Sequence, residues 1–212
     1  MVGSFRASTS DGKRQRLVEL QDQIQEVVKH PDIGKFVQAM SVTTSRTTAC
    51  RKLCSIAALE NQQPFIVETG AATLALRMLG SAKAASSAAA QLLEALMKHP
   101  DVRQQCVEFP RITKLLMEVM KDAQVDQPGR CSAAALLVML LSSPRIAAAS
   151  DFLIHPAISM MRAPHFPRGK EYAVKMLASL AAVQNLASAI ADSGVVADLA
   201  AALSGPEQHW AA

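Results

Sequence analysis

The feature that most restricts the fold is a pattern repeated four times along the chain. Ala49-x-x-x-Leu53-x-x-Ile56 aligns with Ala89-x-x-x-Leu93-x-x-Leu96, Ala134-x-x-x-Val138-x-x-Leu141 and Ala173-x-x-x-Leu177-x-x-Leu180, at steps of 40, 45 and 39 residues. Steps of roughly 40–47 residues are those of stacked helical repeats. A second landmark keeps pace: Val67-Glu68-Thr69-Gly70 ends 21 residues after Ala49, Val107-Glu108-Phe109-Pro110 ends 21 after Ala89, and Asp192-Ser193-Gly194 ends 21 after Ala173. A unit of this size cannot bury its apolar face alone, so neighbours must stack to build one continuous core.

Composition agrees with helices throughout. Half of the residues are apolar but only 4% are aromatic, so the core must be Ala, Leu, Val, Ile and Met. These are mostly good helix formers, and alanine lets helices approach closely. Alternating β-branched and aromatic runs, the mark of strands, are absent. The expected fold class is all-α.

Along the chain, residues 1–11 are polar and rich in Ser and Thr and are expected to form a tail. From Lys13 to Lys29, Leu17, Leu20, Ile24, Val27 and Val28 recur at helical spacing, which predicts an amphipathic helix. Pro31 suits the first turn of a second helix carrying Ile33, Phe36, Val37 and Met40. This pair reads as an atypical capping repeat over 12–43, followed by a Thr/Ser-rich break at 42–48. Each later unit divides into a long helix (45–60, 84–98, 129–142, 168–183), a short one (62–68, 100–108, 144–153, 184–192) and a third (71–79, 111–121, 156–162, 195–203). Pro64, Pro100 and Pro144 fall early in the short helices, where a missing N–H is harmless. Gly70 and Gly194 mark sharp corners before the third helix. The repeats span 45–204, and 205–212 is a C-terminal tail opening on the helix stop Gly205-Pro206.

Three helices per unit, Ala-x-x-x-Leu-x-x-Leu in the long one and ETGAATLALRML or DSGVVADLAAAL opening the next, resemble the armadillo repeat over residues 45–204. Two-helix HEAT units would leave the Gly70 and Gly194 corners unexplained. The resemblance implies a right-handed superhelical solenoid of about four three-helix units, binding partner segments in a groove lined by the long helices. In the importin-alpha type, a Trp and an Asn four residues later project from successive long helices to clamp a basic peptide. The positions here that correspond are Arg51/Ser55, Gln91/Ala95, Leu136/Leu140 and Lys175/Ser179, and none is Trp/Asn. That speaks against a nuclear-import receptor. Arg51, Lys52, Arg77 and Lys175 instead suggest an acidic or carboxylate-ended partner, as in the beta-catenin type, with Leu136 and Leu140 as an aliphatic stretch for a partner helix.

Other chemistries find less support. Cys50 and Cys54 lie four apart on one expected helix, with Cys106 and Cys131 at repeat positions, so the thiols read as small buried hydrophobes. No metal or cofactor is expected. His30 and His99 both occur in Lys-His-Pro-Asp, which joins a helix end, favourable to a cation, to a helix start. No nucleophile elbow, metalloprotease helix or phosphate loop appears, so an enzyme is not expected. The net charge is +4, with Arg6, Lys13, Arg14 and Arg16 forming a basic tail. RNA-reading helical repeats place aromatic and polar readers at fixed positions. Here those positions vary, which leaves an RNA-associated protein as the alternative.

No stretch reaches the ~18 apolar residues of a membrane span, the longest run being Cys131 to Leu141. No apolar signal core follows the first charges, although Met1–Arg16, with Asp11 its one acid, faintly resembles a mitochondrial presequence. The expectation is an intracellular protein-interaction module, cytoplasmic or else mitochondrial, acting as an adaptor or structural subunit of a larger assembly.

Overall fold

The computed structural model describes residues 30–162 and 167–204 of the 212-residue chain. The expected helix over 13–29, the basic residues Arg6, Lys13, Arg14 and Arg16, and the tails 1–11 and 205–212 lie outside them. Every regular element among the described residues is helical. In order these are α1 (Ile33–Met40), α2 (Arg46–Ala57), α3 (Gln63–Glu68), α4 (Ala71–Met78), α5 (Lys83–Leu96), α6 (Pro100–Glu108) and α7 (Ile112–Lys121). Then come α8 (Gln127–Leu141), α9 (Pro144–Ala148), α10 (Ile154–Arg162), α11 (Pro167–Ala181), α12 (Gln184–Asp192) and α13 (Val195–Ser204). Short 3₁₀ turns precede α3 (Glu60–Gln62) and α10 (Asp151–Leu153).

The repeat seen in the sequence becomes a repeated packing relation. The four long helices α2, α5, α8 and α11 lie side by side in chain order. Each also packs on the helix just before it: α1 on α2, α4 on α5, α7 on α8 and α10 on α11. Small side chains permit the close approach between α5 and α8: Ala88, Ala89 and Ala90 of one and Ala133 and Ala134 of the other all belong to the same buried core. At the N-terminal end of this seam Gly129 has no room for a side chain. A Cβ there would lie 2.2 Å from Ser87 Oγ and 2.8 Å from Ser87 Cα.

Burial corrects the third copy of the pattern by one residue. Ala49/Leu53/Ile56, Ala89/Leu93/Leu96 and Ala173/Leu177/Leu180 are all buried as expected. In α8 the equivalent buried set is Ala133/Leu137/Leu140, and Val138 is only half-buried. The steps are therefore 40, 44 and 40 residues. The slip has a physical cause: α8 is apolar nearly all round from Cys131 to Leu141, so periodicity alone cannot set its phase. The prolines do set it, since Pro144 follows Pro100 by 44 residues and both open a short helix.

The corners follow the expected chemistry, with one change. Gly70 and Gly194 adopt left-handed backbone (φ 76° and 72°), a region open to glycine at no steric cost. In the third unit the single short helix expected over 144–153 is broken: α9 ends at Ala148, and the 3₁₀ turn carries the chain into α10, which begins at Ile154. At the second Lys-His-Pro-Asp joint α5 ends at Leu96 and Pro100 opens α6, as read from the sequence; at the first, Pro31 and Asp32 precede α1, which begins at Ile33, and the helix end expected before His30 lies outside the described residues. His30 Nδ1 accepts the Asp32 N–H at 3.3 Å, and the His30 N–H donates to Gln62 Oε1 at 2.8 Å, tying the entrance of α1 to the turn before α3.

Candidate functional site: a trough across the long helices

An open trough of about 560 Å³ runs across one face of the long-helix row. Cys54 comes from α2 and Gln91, Glu94 and Ala95 from α5; Pro128, Cys131 and Ser132 come from α8, and Arg168 and Tyr172 from α11. Glu60, Gln63 and Lys98 also line it. Cys54 and Glu94 stand five residues after the repeat alanines Ala49 and Ala89, whereas Pro128 and Arg168 stand five before, and Ser132 and Tyr172 one before, Ala133 and Ala173.

Glu94 is the electrostatic centre. Burial pushes the Cys54 thiol above its ordinary value, and the Glu94 carboxylate adds to that. Burial also raises Cys131, with Glu94 in the same direction and Arg168 opposing. Tyr172 is raised by burial first, then by Glu94. A carboxylate favours the neutral form of any acid beside it, so these three shifts locate Glu94 among the two thiols and the phenol. Glu94 itself enters no ion pair or hydrogen bond among the described residues.

The surrounding polar groups are largely tied to each other. Asp126 caps α8 by accepting the Gly129 N–H at 2.9 Å, and the same carboxylate oxygen accepts the Ser87 hydroxyl of α5 at 2.6 Å. Gln91 Nε2 donates to Ser87 Oγ at 3.0 Å. Arg51 reaches from α2 to within 3.8 Å of the other Asp126 oxygen, and Lys98 pairs with Glu60 at 2.6 Å.

Of the candidates read from the sequence, Gln91 and Ala95 line the trough. Arg51, Ser55, Lys175 and Ser179 lie outside its walls. Ser55 and Ser179 spend their hydroxyls on the carbonyls of Arg51 and Lys175, at 3.1 and 3.0 Å. Lys175 is paired with Glu171, so it and Arg51 are not free cations. Lys52 and Arg77 are exposed but do not line the trough. Leu136 and Leu140 must be corrected: each is 1% exposed and belongs to the core, not to a partner-facing stretch. Their assignment came from the one-residue slip in α8; the true equivalents of Gln91 and Ala95 are Ala135 and half-buried Met139. Glu94, Tyr172, Cys54, Cys131 and Arg168 were not anticipated. The signal for Cys54 and Glu94 was their shared repeat position, which a search for Trp/Asn pairs passes over.

Burial also pushes the Cys50 and Cys106 thiols up to about 12, as for small core hydrophobes. Among the described residues no three His, Cys, Asp or Glu side chains gather as a metal site, and no helix is long and apolar enough to cross a membrane.

This architecture defines an all-α protein of repeated helical units. Two crystal structures of engineered proteins from the Northeast Structural Genomics Consortium share it. One superposes with a TM-score of 0.68 at 20% identity, over 85% of this chain and 75% of the other. The second gives 0.67 at 16% identity, over 85% and 76%. No protein-family model matches the chain, and no curated protein is significantly similar to it.

Proposed function

We propose that the chain is an armadillo-type right-handed solenoid serving as a non-catalytic protein-interaction module, an adaptor or structural subunit of an intracellular assembly. The observation that carries this reading is the trough, to which all four long helices contribute side chains. Its mixture of chemistries suits a partner segment. Ala95, Cys54, Cys131 and the Tyr172 ring offer apolar contact, while Glu94, unpaired among the described residues, accepts a donor from the partner. An open surface of this kind fixes orientation through a few polar groups while apolar burial supplies affinity.

The test is site-specific photo-crosslinking. A photoreactive residue at Gln91 should capture a partner in the native cell, one at exposed Gln38 should not, and Glu94→Lys should abolish the Gln91 adduct. Equal capture from both positions overturns the trough as the docking face. The RNA-associated reading has weaker support, because the cations that line the trough, Lys98 and Arg168, are matched there by the carboxylates of Glu60 and Glu94 and leave no positive surplus. Its signature would be binding to polyanions that falls steeply with salt.

A further inference from the structure

The corner between α6 and α7 uses a backbone that the chain elsewhere gives to glycine. Arg111, the residue before α7, has φ 62° and ψ 19°, whereas the residues before α4 and α13 are Gly70 and Gly194. An L side chain in this left-handed region crowds the following carbonyl, so glycine would be the more comfortable choice. Strain kept at one position motivates a search for what its side chain does.

Arg111 lines a hollow of about 420 Å³, and Arg145 from the next unit lines the same hollow. Neither guanidinium has an ion pair or side-chain hydrogen bond among the described residues. Val107, Phe109, Ile112 and Ile146 supply apolar wall. Glu108 is also present, its carboxylate taken by the Gln104 amide.

We propose that this hollow binds a carboxylate attached to an apolar body: an Asp or Glu side chain next to an aliphatic residue, or a chain end, on a protein partner. Two arginines against one glutamate leave a surplus of one positive charge. A monoanionic carboxylate neutralises that surplus, whereas a phosphate dianion would overshoot it. Planar guanidinium groups also match carboxylate geometry. The preference for an acidic partner, which the sequence suggested for the long helices, thus belongs to the corner of the second unit. The site is separate from the trough and does not depend on it.

The probe is pentanoate, titrated by NMR into the isotope-labelled protein beside acetate and inorganic phosphate. Saturable shifts at residues 104–113 and 145–150 are expected at millimolar concentration, the range open to so small a ligand. Pentanoate should bind more tightly than acetate, and phosphate should bind worst. Arg111→Gly should weaken pentanoate by about tenfold or more, as loss of a charge-assisted contact does. Its melting temperature should hold or rise, because the strain is relieved; Arg145→Gln should weaken binding without moving the backbone. Shifts unchanged in both variants, or phosphate binding most tightly, overturn the proposal. Affinity that keeps climbing with acids longer than pentanoate would indicate a fatty-acid pocket and overturn it equally.

Discussion

Between α5 and α8 the packing leaves no slack, while on the trough side of the same two helices the groups are adjustable. In the seam, Gly129 sits against Ser87 so closely that a methyl group would meet backbone, and the alanines on either side are fully covered. Facing outward, Glu94 is unpaired among the described residues, Met139 is half-buried, and Gln91 donates to Ser87 Oγ at 3.0 Å. The difference shows how one helix can serve two purposes. The repeat fixes the inner face through volume, which the sequence must respect at every copy. The outer face carries no packing constraint and is free to differ between units.

Substitution at Gly129 tests the tight half of this contrast most severely. Gly129→Ala places a Cβ 2.8 Å from Ser87 Cα, a clash that only backbone movement relieves. The expected loss is about 3 kcal/mol or more, the upper end for overpacking, read as a shift in the urea unfolding midpoint. A midpoint within error of the parent would mean that the helices are not in this contact.

The phase of α8 gives the next largest effect. Leu136→Ala should cost about 3 kcal/mol through the cavity it leaves, and Met139→Ala less than about 1 kcal/mol, because Met139 is half-buried. Replacing Leu136 and Leu140 together by Asp should abolish the helical circular dichroism and not merely partner binding. Comparable losses for Leu136→Ala and Met139→Ala would contradict the register.

These two faces were unequally legible in the sequence. The helices, the repeat length and the Gly70 and Gly194 corners could be read, because each follows from local spacing or backbone freedom. The phase of α8 could not. Eleven residues from Cys131 to Leu141 contain only one polar side chain, Ser132, and without polar positions both registers satisfy the pattern. The trough was half visible: Gln91 and Ala95 were reached by counting, but the role of Glu94 emerges only when α2, α8 and α11 are brought beside it. The corner of the second unit was hidden differently, since Phe109-Pro110-Arg111 lacks the glycine that announces left-handed backbone.

Buried thiols supply a smaller, pH-controlled effect. Burial raises Cys50 and Cys106 from 9.0 to about 12. A group whose folded value is raised contributes fully below the unfolded value, and the contribution is lost as pH rises toward the folded one. Stability should therefore decline between pH 9.0 and about 12. At about pH 10, one unit above the ordinary value, each thiol accounts for about 1.4 kcal/mol. The Cys50→Ala, Cys106→Ala double variant should show a shallower decline from about pH 9 to about pH 10 in denaturant titrations. An unchanged slope would place both thiols in contact with water.

The smallest effects come from the polar bridge that spans α2, α5 and α8, and they separate its useful part from its ornamental part. Asp126 satisfies the first turn of α8 through Gly129 N–H and takes the Ser87 hydroxyl with the same oxygen, so Asp126→Ala should cost about 1–2 kcal/mol, as loss of a helix cap does. Arg51 meets the other oxygen at 3.8 Å from an exposed position. Solvent screening reduces such a pair to within about 0.5 kcal/mol, so Arg51→Ala should barely register. Their double-mutant cycle should accordingly give a coupling near zero, while the cycle of Asp126→Ala with Ser87→Ala should give a coupling of about 1 kcal/mol. A large Arg51–Asp126 coupling would mean that the outer face is held as firmly as the seam beneath it. The trough would then be a fixed surface, not one able to adjust to a partner.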